Sequence, residues 1–143
     1  MHTANFDEAL DLILQQDRRY HRDAYLFVRE ALDHTQKIVG RAVREGARQA
    51  IRHVTGQELL DGIRTYALEQ FGPMTLTVFN EWGVRRCEDF GEIVFNMVEN
   101  NLLTKTKQDS RESFKSRYDF DEVFRQPFLP AAKKTLSQAQ PTT

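Results

Sequence analysis

HVTGQELLDGIRTYALEQFGPMTLTVFNEWGVRRCEDFGEIVFNMVENN, from His53 to Asn101, is the stretch whose reading decides the fold. Thr55 and Glu58 stand at capping-box spacing, where the Thr hydroxyl takes the amide three residues on and the Glu carboxylate reaches back to the cap amide. Leu59, Ile63, Tyr66, Ala67 and Gln70 follow at helical spacing, with Leu60 and Leu68 widening the stripe. Gly72 falls where a left-handed C-cap is wanted, and Pro73 ends one helix while suiting the first turn of another. A second, short helix is therefore predicted from Pro73 to Trp82, closed by Gly83. A third opens after Arg85 and Arg86, near Cys87, with Glu88 and Asp89 where the helix dipole favours negative charge. Phe90, Ile93, Val94, Met97 and Val98 form its apolar face, and Asn100 and Asn101 its left-handed stop.

Outward from this stretch the period changes. Thr104 and Thr106 are β-branched, and Phe114, Ser116, Tyr118 and Phe120 alternate with Lys115, Arg117 and Asp119, so two strands are predicted around QDSRE. Three helices followed by a hairpin is the order of a winged helix-turn-helix. On the other side, Phe6, Leu10, Ile13 and Leu14 predict a first helix ending near Gln16. Tyr20, Ala24, Phe27, Val28, Ala31 and Leu32 predict a second that packs on it as a helical hairpin. Asp119 and Glu122 repeat the capping spacing ahead of Val123 and Phe124, which predicts a last short helix stopped near Pro127. The expected fold class is mainly α with a small β-hairpin: a helical hairpin (1–36), an amphipathic basic connecting helix (37–52), a winged-helix-like core and wing (53–126) and a flexible tail (127–143), all one cooperative unit.

A chain of 143 residues with 40% hydrophobic content and ten Phe has enough apolar material for a core of its own. Its formal net charge of -1 lacks the basic excess usual in nucleic-acid-binding proteins. Cys87 is the single cysteine, so no internal disulfide forms. No apolar run reaches membrane-spanning length and the polar start has no signal-peptide pattern, so a cytoplasmic protein with no membrane partner is expected.

HVTGQELLDGIRTYALEQFGPM, EWGVRRCEDFGEIVFNMVENNLL, KTKQDSRESF and YDFDEVF together resemble a family of small uncharacterised proteins restricted to Planctomycetes and Verrucomicrobia. The resemblance runs from about Phe6 to Phe124 and is weakest over Arg41 to Arg52. It implies a single folded unit of bacterial, intracellular origin, with its Gly, Trp and Phe runs as packing positions. It brings no activity, cofactor or catalytic residue to these positions.

His2, His21, His34 and His53 are scattered and Cys87 has no CxxC partner, so no metal or other cofactor is expected. Cys87 beside Arg85, Arg86 and a helix start has the setting for a lowered pKa, but a cysteine standing in for a Ser or Thr cap is the simpler reading. Two charged surfaces are the candidate sites. Arg41, Arg44, Arg48 and Arg52 form a basic stripe opposite Val39, Val43, Ala47 and Ala50. Glu88, Glu92 and Glu99, with Asn96, form an acidic outward line on the third helix. Together they suggest complementary surfaces for self-association or a protein partner, in a non-enzymatic interaction or adaptor module. The alternative is a nucleic-acid-binding regulator touching phosphates through a basic wing, Lys105, Lys107, Arg111, Lys115 and Arg117. It is disfavoured because the would-be recognition helix carries carboxylates toward the duplex and no Arg or Lys to read guanine.

Overall fold

The computed structural model describes residues 2–45, 54–103 and 110–130. Five α-helices carry the architecture: α1 (His2–Gln16), α2 (Arg22–Glu45), α3 (Gly56–Phe71), α4 (Thr75–Glu81) and α5 (Cys87–Glu99). A terminal segment follows, made of a 3₁₀ turn at Arg111–Phe114, a wide π-type turn at Asp121–Arg125 and a 3₁₀ turn at Gln126–Phe128.

Local signals set the helix ends. The Thr55 hydroxyl accepts from the Glu58 amide at 3.1 Å while Glu58 Oε1 accepts from the Thr55 amide at 3.0 Å, the expected reciprocal cap. Gly72 ends α3 at φ 51, and Gly83 follows α4 at φ 84, both in the region that favours glycine. Asn101, at φ 62, supplies the left-handed stop after α5. Glu122 donates its amide to Asp119 Oδ2 at 3.2 Å, capping the last wide turn.

The core joins one face of every helix. Phe6, Leu10 and Ile13 of α1 share one buried cluster with Ala24, Tyr25, Val28 and Ala31 of α2 and Leu60, Ile63 and Ala67 of α3. Helices α2 and α3 run antiparallel: Phe27 meets Phe71, and Thr35 lies against Gly62. The approach at Gly62 is so close that a Cβ there would collide with the Thr35 hydroxyl, which is turned back to donate to the Ala31 carbonyl at 2.7 Å.

The expected β-hairpin is not the structure of this region, and no strand occurs among the described residues. Residues 104–109, the first strand and tip, lie outside the described residues. The second strand, Phe114 to Phe120, is replaced by a 3₁₀ turn and irregular chain, with Ser116 at φ 45 where a strand cannot continue. The physical reason is that its aromatics serve different helices rather than one sheet face. Phe114 fits into the space left by Gly91 of α5 and Gly56 of α3 and meets Phe95 edge-on at 5.9 Å. Tyr118 donates its hydroxyl to the Leu60 carbonyl at 2.7 Å, and Phe120 packs on Phe79 and Phe90.

Two boundaries also differ. Helix α2 passes through position 36 without a break, so the first part of the basic connecting segment is its continuation. The tail begins as the Gln126–Phe128 turn, with Leu129 donating to the Gln126 carbonyl at 3.1 Å, and residues 131–143 lie outside the described residues.

Gly62→Ala is expected to lower the free energy of urea unfolding by about 1–3 kcal/mol, the usual cost of overpacking a tight contact. Adding Thr35→Ala should recover a measurable part by vacating the hydroxyl's place. Equal stability of the single and double variants would show that the contact at Gly62 does not set the α2–α3 spacing.

Candidate interaction surfaces

Positions 88, 92, 96 and 99 lie on one side of α5, but that side is not uniformly outward. The turn between α1 and α2 docks on it. Arg19 forks onto Asp17 (Nη2 to Oδ2, 2.6 Å; Nε to Oδ1, 2.9 Å) and reaches Glu92 Oε1 at 3.2 Å. Arg111, from the terminal segment, donates Nε to the other Glu92 oxygen at 2.9 Å and lies over the Phe95 ring. Asn96 donates to Asp17 Oδ2 and to the buried Tyr25 hydroxyl, each at 3.0 Å. One carboxylate on α5 thus ties three parts of the chain together.

The charge states follow from these bonds. Hydrogen bonds from Arg19, with help from Asn96 and against partial burial, hold the Asp17 carboxyl well below the usual carboxylate range. Burial opposes ionisation of Glu92, but the hydrogen bonds from Arg111 and Arg19 outweigh it and hold that carboxyl below its ordinary value too. Glu88 accepts from the Ser116 hydroxyl at 3.3 Å, and Glu99 is exposed. Of the three acids expected to meet a partner, Glu92 is therefore already matched within the chain.

The basic wing divides similarly. Arg117 makes a two-pronged contact with Asp61 of α3 (2.9 and 3.1 Å), Arg111 is on Glu92, and Lys115 pairs with Glu112 at 3.2 Å, both exposed. Lys105 and Lys107 lie outside the described residues. Arg41 and Arg44 stand on the helical backbone of α2, and Arg48 and Arg52 lie outside the described residues. Cys87 is buried, and desolvation pushes its thiol up, against hydrogen bonds to the terminal segment; Sγ donates to the Tyr118 carbonyl at 3.3 Å. Its environment is the reverse of an activated thiolate's.

One surface was not foreseen. Half-buried rings of His34, Tyr66, Phe71 and Trp82 run in sequence along the junction of α2, α3 and α4, all but His34 resting on the buried Phe27 at 5.4–5.7 Å. His34 meets Tyr66 at 5.2 Å and Phe71 meets Trp82 edge-on at 5.8 Å. Tyr66 donates its hydroxyl to Glu30 at 3.2 Å; burial and the charges of Glu30 and Glu69 raise its phenol's pKa. Helical spacing marked Phe27 and Tyr66 as core-facing, but the half exposure of the strip depends on how α4 crosses α2 and α3, which spacing does not contain.

Among the described residues, no group of three or more His, Cys, Asp or Glu is arranged to hold a metal ion, and no helix is long and apolar enough to cross a membrane. Comparison of the chain with protein-family models, curated proteins and solved structures gives no match.

The folded value of Asp17 lies below its unfolded one, so its contribution to stability is present above about pH 4 and is lost as pH falls through the folded value. Asp17→Asn is expected to cost ~1–2 kcal/mol at neutral pH and to flatten the acid limb of the stability profile; an unchanged acid limb would remove Asp17 as its source. Cys87 should react with a thiol reagent only at the rate of opening, and full-speed labelling of the folded chain would contradict its burial.

Proposed function

We propose that the chain is a non-enzymatic protein-interaction module that docks an acidic protein surface through the basic second half of α2 and the segment that follows. The observation that carries this reading is the concentration of basic residues in one part of a chain whose net charge is only -1. Between positions 37 and 52 the sequence places Lys37, Arg41, Arg44, Arg48 and Arg52 against Glu45 alone. Excess charge of one sign on a surface steers and selects a partner of the other sign.

Position along the fold supports the same reading. With Thr35 opposite Gly62 in antiparallel helices, Gly56 comes opposite Arg41. The last turn of α2 therefore extends past the start of α3, away from the packed layer. Ile38, 49% exposed, adds an apolar side chain at the edge of the basic run.

A second reading keeps the sequence expectation of a nucleic-acid-binding regulator, with phosphate contacts from Lys105, Lys107 and Lys115 but without a hairpin wing. What favours it is the cluster of cations between Lys105 and Arg117. What weighs against it is that Arg111 and Arg117 are engaged with carboxylates of the body.

At about 20 mM salt the wild-type chain should sediment above its monomer mass or be retained on immobilised polyglutamate, and both effects should fade near physiological ionic strength. Arg44→Glu with Arg48→Glu should abolish both. Equal behaviour of wild type and this variant would overturn the proposal. Salt-sensitive binding to a mixed-sequence DNA duplex that disappears with Lys105, Lys107 and Lys115 changed to Ala, and survives the Arg44/Arg48 reversal, would establish the second reading instead.

A further inference from the structure

We infer that the strip formed by His34, Tyr66, Phe71 and Trp82, edged by Glu30 and Glu69, is the docking surface for the basic segment 37–52 of a second copy of this chain. The inference rests on the proposed role of that segment and names what receives it.

Three observations meet here. The strip is a run of partly exposed aromatic rings, the side chains that dominate protein recognition and that attract cations over their faces. Its edge is acidic: Glu30 accepts the Tyr66 hydroxyl, Glu69 sits close enough for its charge to act on the same phenol, and Asp33 follows one turn after Glu30. Among the described residues none of these three carboxylates has an ion-pair partner, in contrast to Asp17, Asp61 and Glu92. The segment 37–52 has the complementary chemistry: cations at 37, 41, 44, 48 and 52 and apolar residues at 39, 43, 47 and 50.

Geometry selects a second copy over the same one. From Phe27, which underlies the strip, to position 44 of the same continuous helix is ~25 Å at 1.5 Å per residue. A copy therefore cannot lay the helical part of its own basic run across its own strip. Two copies with their α2 helices antiparallel can each do so for the other. Glu30, Lys37, Arg41 and Arg44 fall within about 60° of one another on a wheel of 100° per residue, so α2 carries acid then base along one line of register. Reversing one copy brings acid opposite base twice, and the contact closes as an isologous dimer rather than a filament.

Trp82 is the only tryptophan of the chain and lies at one end of the strip, so it reports on occupancy directly. A synthetic peptide of residues 37–52, which has no aromatic residue, is titrated into the full chain at about 20 mM salt while Trp82 fluorescence is followed. Saturable change, weakened at least about tenfold in Glu30→Lys with Glu69→Lys and by the same order in a peptide carrying Glu at 41, 44 and 48, is the expected result. No change at Trp82, or a change that persists in the Glu30/Glu69 variant, overturns the inference. Both substituted carboxylates are exposed, so the variant keeps its fold, which circular dichroism verifies. If the chain still binds polyglutamate through Arg44 and Arg48 while Trp82 stays silent, the strip is refuted and the proposed function stands. If neither is seen, both fall.

Discussion

The structure depends on the ring of Phe79. It is fully buried on α4 and meets Phe27 of α2, Trp82 at the end of its own helix, Phe90 of α5, and Phe120 and Phe124 of the terminal segment, at centroid distances of 5.2–5.8 Å. Four otherwise separate parts of the chain share this one ring. A helix as short as Thr75–Glu81 does not hold itself in water, because nucleation costs more than so few bonds return. Tertiary packing must supply the difference, and edge-to-face rings such as Phe90 and Phe124 add about 0.5–1.5 kcal/mol each beyond the area they bury. Thr75 fixes the start of α4 from inside, donating to the Gly72 carbonyl at 2.6 Å while fully buried. The same cluster that stabilises α4 therefore sets where Trp82 emerges, and so shapes the strip.

What was legible in the sequence was local. Thr55 with Glu58, Gly72 before Pro73, Gly83 and Asn101 are signals whose physics is complete within four residues, and each marks the end it was read to mark. The apolar faces of α1, α2, α3 and α5 were legible in outline, because burial on one side of a helix imposes its period on the chain, but Tyr25 and Phe95 are buried off the predicted stripes and Gln70 is exposed on one. The strand reading failed at Phe114 to Phe120 for the converse reason. Alternation of apolar and polar residues was present and Phe114 and Phe120 are buried, but alternation implies a strand only if a neighbouring backbone takes up its hydrogen bonds. Here the neighbours are helices, and the groove over Gly91 and Gly56 admits a turn carrying one large ring.

The polar side of α5 shows the same limit. Nothing within eight residues of Glu92 distinguishes it from a solvated carboxylate; its partners come from Arg19 and Arg111, across the fold. Likewise Asn96 faces Tyr25 and Asp17 rather than water. A helical wheel separates core from surface by periodicity, but it cannot tell open surface from surface covered by a turn. The acidic line was therefore read as free when its middle was occupied.

The clamped groups of this body keep the charge states that dominate at neutral pH. Guanidinium groups hold the Asp17 and Glu92 carboxyls below their usual range, and burial drives the Cys87 thiol and the Tyr118 phenol further into their neutral forms. Each shift deepens the state already dominant at neutral pH, which is what a clamp between chain segments needs. The ion pairs of Asp17, Glu92 and Asp61 thus hold the terminal segment and the α1–α2 turn onto α5 and α3. The second half of α2 adds Lys37, Arg41 and Arg44 against Glu45 alone, on a helix end that passes the start of α3. Charges of one sign on a common line repel along the helix, and a partner bearing the opposite sign relieves that repulsion at the moment of contact. The basic run is on this ground the part of the chain proposed to meet another molecule.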